Sequence, residues 1–208
     1  TVICLSSLLN ILIQIVIGLL KAIEMQLYNV KSYSSVIRGE YPFHKQLKEE
    51  LLPLLENQLD QQGRMTNVQA TMTEWKWQED NPRVKRLQEC ILAEAYSHEV
   101  IRYMKITCDK HSIPLKIIVD KFWGNIYNKG DYTKSHNHMG FESGFGFVYF
   151  LKTKWYHPSL IFSESGKKMK PKEGTYIIFP KNLMHHVPKN RFDETRITLS
   201  GNLFIKKL

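Results

Sequence analysis

The spacing of apolar positions changes character twice along the chain. From Thr1 to about Leu20 nearly every position is apolar, interrupted by Ser6, Ser7, Asn10 and Gln14. The run approaches the roughly 20 residues that a membrane helix needs, but it has no basic lead-in and no small-residue cleavage site, so it does not read as a signal peptide. The chain opens on Thr, and its first methionine is Met25. Residues 1–24 therefore read either as a membrane anchor or as upstream sequence translated ahead of the start. As an anchor, Lys21 and the basic residues after it would hold the remainder on the cytoplasmic side.

Leucines at 47, 51, 54, 55 and 59 recur at helical intervals and predict a helix over 44–60, with Pro53 kinking it or delaying its start. Residues 82–110 give a second helical pattern through Val84, Leu87, Ile91, Leu92, Val100 and Ile101, opened by Pro82. The Thr- and aromatic-rich stretch RMTNVQATMTEWKW between them predicts a strand or hairpin. Near Pro114 the spacing shifts to short β-branched and aromatic runs set apart by Gly, Pro, Asn and Lys. Several such strands in succession predict a barrel or two-sheet jelly roll. The expected organisation is α+β, with a helical and mixed support region over 25–118 and an all-β core over 119–208.

Charge sharpens this division. The 208-residue, 24.5 kDa chain carries a net charge of +9, of which residues 119–208 contribute +8. An anionic ligand is therefore expected to meet the β half. Cys4, Cys90 and Cys108 lie far apart, which excludes a disulfide scaffold or a cysteine zinc ribbon and points to a reducing, cytoplasmic compartment. Lys167, Lys168, Lys170 and Lys172 read as a solvated hairpin loop or, alternatively, as a nucleic-acid or acidic-protein contact. His44, His98, His111 and His157 are isolated and carry no assignment.

The chemistry-bearing residues cluster in the β half. His136 and His138 form an HxH pair, and residues two apart on a strand share a face. A jelly roll can return His185, 47 residues later, to their side. Imidazoles so grouped suit iron, copper, zinc or nickel, although paired histidines on a strand are often surface groups. Arg196 opens the strand RITLSGN eleven residues after His185. Its planar fork suits a carboxylate, and its plainer reading is a surface ion pair with Asp193 or Glu194.

WGNIYNKGDYTKSHNHM (123–139), SGFGFVYFLK (143–152), PKEGTYIIFPKNLMHHVPKN (171–190) and RITLSGN (196–202), in this order, resemble the Fe(II)/2-oxoglutarate dioxygenases. They are most similar to the subgroup common in phages and marine microbes and related to prolyl hydroxylases. A weaker likeness extends upstream to NVQATMTEWKW (67–77). The resemblance implies a double-stranded β-helix (jelly-roll, cupin-like) core behind N-terminal helices. It also implies Fe(II), 2-oxoglutarate and O2 as cofactor and cosubstrates, and hydroxylation of a C–H bond with decarboxylation of 2-oxoglutarate to succinate. It places His136 and His185 as iron ligands and Arg196 on the far carboxylate of 2-oxoglutarate. Thr198 adds a hydroxyl, Tyr127 hydrogen-bonds the cosubstrate, and Asn125 and Asn202 line its pocket. Position 138 departs from the Asp or Glu usual in the superfamily. His138 is then a third imidazole ligand, or Asp131 or Glu142 supplies the carboxylate, or the place is left to water or an anion. His186, next to His185, is expected on the opposite strand face, at the surface or behind the ligands.

The substrate class is a protein side chain or a small metabolite. The alternatives are a three-histidine cupin-type dioxygenase that uses no 2-oxoglutarate, and a jelly-roll binding module without iron chemistry. Demethylation of nucleic acid is disfavoured, because the second arginine usual in that class falls at Asn202. A membrane is a partner only if residues 1–24 are an anchor, and a viral source would place the protein in the host cytoplasm.

Overall fold

Polar residues along two long β-strands point inward, and the architecture of the molecule explains why. The computed structural model describes residues 26–31, 34–61, 63, 66–97, 115–139 and 143–207. Among these, two antiparallel sheets stack on one another in a jelly roll. The larger contains β1 (Gln26–Lys31), β2 (Ser34–Glu40), β4 (Thr71–Met72), β5 (Leu115–Tyr127), β7 (Ser143–Lys152), β10 (Thr175–Pro180) and β12 (Arg196–Lys207), in the order β1-β2-β10-β7-β12-β5-β4. The smaller contains β3 (Val68–Gln69), β6 (Tyr132–His136), β8 (Leu160–Phe162), β9 (Lys167–Met169) and β11 (His185–Val187), in the order β3-β6-β11-β8-β9.

Two helices, α1 (His44–Glu56) and α2 (Lys85–Ser97), cover the outer face of the large sheet. Leu47, Leu51 and Leu55 on α1 and Leu87, Ile91 and Ala95 on α2 are buried one helical turn apart, as apolar stripes facing a core should be. They pack with Phe122, Ile126, Phe147, Tyr149, Ile178 and Leu199 of the sheet. Between the sheets a second cluster joins Phe150, Ile177 and Phe179 to Phe162, Met169 and Val187. With both faces of the large sheet covered, its central strands are buried on both sides; β10 (TYIIFP) is buried at all but its last residue.

The expected helix over 44–60 ends at Glu56, with Pro53 inside it on the exposed side. The second begins as a 3-10 turn at Pro82–Val84 and continues as α2 to Ser97; the rest of the 82–110 pattern lies outside the described residues. The stretch expected as a strand or hairpin instead crosses between sheets. Val68–Gln69 pairs with β6 and Thr71–Met72 with β5, on either side of buried Ala70. Two strands also precede the first helix. β2 pairs with β10, so part of the support region is built into the core sheet. The lysine run is likewise more ordered than a loop: Lys167 and Lys168 sit on edge strand β9, where charge discourages pairing with another chain, and Lys172 pairs with Glu40.

No helix among the described residues is long and apolar enough to cross a membrane. Residues 1–24, Cys4, Cys108, His98, His111 and Glu142 lie outside the described residues.

Candidate metal and cosubstrate site

β12 and β5 carry alternating sequences whose odd and even positions meet different surroundings. Ile197, Leu199 and Leu203 face the helices, while Arg196, Thr198, Ser200 and Asn202 fall on the opposite face, between the sheets. On β5, Phe122 and Ile126 face the helices, and Trp123, Asn125 and Tyr127 face inward. This buried polar face forms the back wall of the site.

The front wall is the small sheet. His185 of β11 lies directly across from His136 of β6. His138 lies two residues beyond the end of β6, where its backbone N–H donates to the Lys181 carbonyl at 2.8 Å. The shared strand face invoked for the HxH pair is therefore not what aligns it, yet the two rings are nearly parallel with centroids 5.4 Å apart. His185 is 4.3 Å from His136 and 5.2 Å from His138 by ring centroid. One nitrogen from each imidazole lies within 4.8 Å of the others.

Each ring presents the same nitrogen. Nδ1 of His136 donates to the Lys134 carbonyl at 2.9 Å, Nδ1 of His185 to the Leu183 carbonyl at 2.8 Å, and Nδ1 of His138 to Asn202 Oδ1 at 2.6 Å. All three acceptors are oxygens that cannot donate, which puts each proton on Nδ1 and leaves the Nε2 lone pair free. Burial pushes all three pKa values down, that of His138 to about 4, so the rings stay neutral and able to ligate. The donor set suits a borderline transition ion such as Fe(II). No carboxylate among the described residues joins the trio. Asp131 Oδ2 instead accepts from the Asn128 backbone N–H at 2.9 Å in the turn before β6. His186 turns away and bonds Ser163 Oγ at 2.9 Å.

A group protonated less readily in the folded state than in the unfolded one costs stability as pH falls. The depressed imidazoles leave the metal-free protein fully stable above the unfolded value near 6.5, and that stability is lost as pH drops toward about 4. The denaturation midpoint of metal-free protein is expected to fall over this window, and to fall less in His138→Gln. Identical profiles would contradict the burial argument.

Arg196 stands behind this trio, 1 % exposed. Its guanidinium lies over the Tyr127 ring at 4.7 Å and the Phe150 ring at 5.5 Å. Nε and Nη1 have no hydrogen-bond partner among the described residues. The surface ion pair considered from sequence is not formed: Asp193 pairs with Lys129 and Glu194 accepts from Tyr156. A buried cation with idle donors is costly unless an anion meets it.

The polar residues of this inward face form two hydrogen-bonded groups. Tyr127 shares a 2.7 Å hydrogen bond with Thr133. Asn125 accepts from Trp123 Nε1 at 3.0 Å and donates to Ser200 Oγ at 2.9 Å and Thr198 Oγ1 at 3.4 Å. Ser200 and Thr133 had drawn no attention in the sequence, although Ser200 continues the alternation of Arg196, Thr198 and Asn202. His157 was likewise unassigned; it is buried, accepts from the Lys154 backbone N–H, and is kept neutral by burial and by the charge of Arg196.

Two hollows flank the imidazoles. The inner one, about 40 Å³, lies among Asn125, Tyr127, Thr133, the three histidines and Ser200. It takes on the order of three waters, so a five-carbon dicarboxylate seats there only when the lining side chains part. The outer one, about 240 Å³, opens past Trp75, Trp123, Asn137 and Asn202. Gly146 makes room at this point. A Cβ there would lie 2.8 Å from Phe179 and 3.2 Å from His138 Cε1. Gly146→Ala is expected to cost about 1–3 kcal/mol of stability and to weaken metal binding. An unchanged melting temperature and metal affinity would show that the ring has slack.

Residues 121–202 match a family model described as "Putative 2OG-Fe(II) oxygenase", the same segment that supplies the histidine trio and Arg196. Over these residues the chain resembles the 2OG-Fe(II) oxygenases. The chain resembles in fold a Pseudomonas putida prolyl-4-hydroxylase at 14% identity, with a TM-score of 0.60 over 83% of this chain and 94% of that one. It also resembles the viral collagen prolyl hydroxylase of Paramecium Bursaria Chlorella virus-1, in complex with 2OG (15% identity, TM-score 0.56, 81% and 94% covered). HygX from Streptomyces hygroscopicus, with nickel and 2-oxoglutarate bound, is similar at 10% identity and a TM-score of 0.58, with 81% and 82% covered. At these identities the solved structures speak for the fold. No curated protein matches the chain. Enzymes of this family use Fe(II), 2-oxoglutarate and O2, and the donor set here fits that ion and that dianion.

Proposed function

We propose that the protein is a 2OG-Fe(II) oxygenase that hydroxylates a C–H bond of a protein side chain or small metabolite, with His136, His138 and His185 holding Fe(II) and Arg196 anchoring 2-oxoglutarate. The observation that carries this is the buried Arg196, idle at Nε and Nη1 on the inward face, together with three imidazoles that each bring a nitrogen within 4.8 Å of the others. When bound, iron and 2-oxoglutarate supply the oxidising power, O2 being consumed and 2-oxoglutarate leaving as succinate and CO2. Three neutral imidazoles leave a divalent ion's charge to be balanced by the dianionic cosubstrate, and Arg196 adds the positive charge that grips its far carboxylate. Tyr127 and Thr133, whose hydroxyls face each other, and Thr198 on the strand of Arg196 offer hydroxyls along the way. The Asn125 amide ties Trp123 to Ser200 and Thr198, and so holds the inward polar face rigid.

Residues 119–208 are read as the catalytic core and 25–118 as its support. Trp75 and Trp123 wall the outer hollow, which is smaller than the sites that enclose drug-sized ligands. That favours a single side chain or a compact metabolite, as does the family relation to prolyl hydroxylases. A cytoplasmic setting, where cysteines stay reduced, suits Fe(II). Anaerobic titration of the protein with Fe(II) and then 2-oxoglutarate tests the reading. A weak visible charge-transfer band that appears only when both are present is expected. Bound iron without the band would favour a three-histidine dioxygenase, and no bound iron would favour a binding module.

A further inference from the structure

We infer that Asn202 is a positioning residue: its side chain fixes the tautomer and orientation of His138 and so makes that ring a metal ligand through Nε2. The inference rests on the metal-centre reading above and goes beyond it, because it names what allows a histidine to stand where the superfamily has a carboxylate. The resemblance had placed Asn202 in the wall of the cosubstrate pocket. It does line the outer hollow, but its amide oxygen is engaged by His138 Nδ1 at 2.6 Å, with both residues buried.

The three imidazoles are not held alike. His136 and His185 sit in paired strands and donate to carbonyls two residues before them, Lys134 and Leu183. Those acceptors belong to the backbone and survive any side-chain change. His138 lies beyond β6 and has as its Nδ1 partner a side chain 64 residues away on β12. Removing that oxygen leaves nothing in this pairing to keep the proton on Nδ1 rather than Nε2, and a protonated Nε2 cannot ligate. The surroundings are built for this contact. Asn202 lies opposite Gly146 on β7, the residue whose missing side chain leaves room for the His138 ring. Immediately after Asn202 the register of β12 against β5 shifts by one residue, the extra residue, Asp120, lying on β5, so β12 keeps its alternation and Asn202 stays on the inward face with Thr198 and Ser200.

The test uses the full chain and Co(II) as the probe. Asn202→Leu, which removes the acceptor, is expected to weaken Co(II) binding about 10- to 100-fold. Asn202→Asp, which keeps an acceptor oxygen in the same place, is expected to hold or tighten it. In metal-free protein, the assigned ¹⁵N signals of His136, His138 and His185 should all be of Nδ1–H form in wild type and Asn202→Asp, and that of His138 should be of mixed or Nε2–H form in Asn202→Leu. Should the leucine variant not fold, Asn202→Ala is measured in its place. Wild-type Co(II) affinity together with a wild-type ¹⁵N pattern in the leucine or alanine variant overturns the inference. Binding by Asn202→Asp as weak as by the leucine variant also overturns it. Absence of Co(II) binding by the wild type would instead overturn the metal-centre reading on which it stands.

Discussion

Arg196→Met is expected to abolish 2-oxoglutarate binding while leaving the fold as stable as wild type, or more so. The side chain is buried with idle donors at Nε and Nη1, its charge faced by the Tyr127 and Phe150 rings. Replacing a buried, uncompensated charge with an apolar residue of similar volume is often neutral, or stabilising by about 1–4 kcal/mol. Breaking a buried ion pair costs about 3–5 kcal/mol, which is about two to three and a half decades in Kd. The two effects pull in opposite directions, and together they separate an anion anchor from a structural arginine. Urea denaturation with and without 2-oxoglutarate reads both. A variant that unfolds early, or one that still gains stability from 2-oxoglutarate as wild type does, would remove Arg196 from its role.

His185→Ala is the second large effect. His185 has the most enclosed imidazole of the trio, packed against Phe179 at 4.6 Å and paired across the sheet with His136. Its loss leaves two imidazoles and no third protein ligand. Wild-type protein at Fe(II) one hundred times its Kd should gain about 2.7 kcal/mol of stability, and the variant should gain almost nothing. Anaerobic thermal melts with and without Fe(II) measure this directly. A full metal-induced shift in the variant would mean that the ion binds elsewhere.

Where the chain repeats a period, the sequence was informative. Leu47, Leu51 and Leu55 of α1 and the alternation RITLSGN describe surfaces that the fold buries, whereas Leu54 and Leu59 of the same spacing are exposed, and the histidine spacing anticipated a jelly-roll return that brings His185 beside His136. Legibility ended where position depends on distant partners. β2 has only two neighbouring apolar residues, Val36 and Ile37, with no alternation to reveal it; it is a strand because β10, some 140 residues later, pairs with it. His138 joins the trio through Lys181 and Asn202 rather than through strand periodicity. For Arg196 the sequence left a surface ion pair open beside the carboxylate-binding reading, because adjacency in sequence cannot show that Asp193 and Glu194 turn toward Lys129 and Tyr156. The polar alternation on β12 was legible as a face, but its inward direction followed only from the helices that cover the other side.

β12 is paired along its whole length with β5, and from Ile197 to Phe204 also with β7 on its other edge. Its amides should therefore be among the last to exchange with deuterium, opening only when the whole sheet does. Arg196, Thr198, Ser200 and Asn202 all hang from this strand, so the anion anchor and the support of His138 move as one rigid rail. Breathing that admits substrate and releases succinate must then come from the short strands and loops of the opposite wall, and changes that speed turnover should map there rather than to the rail.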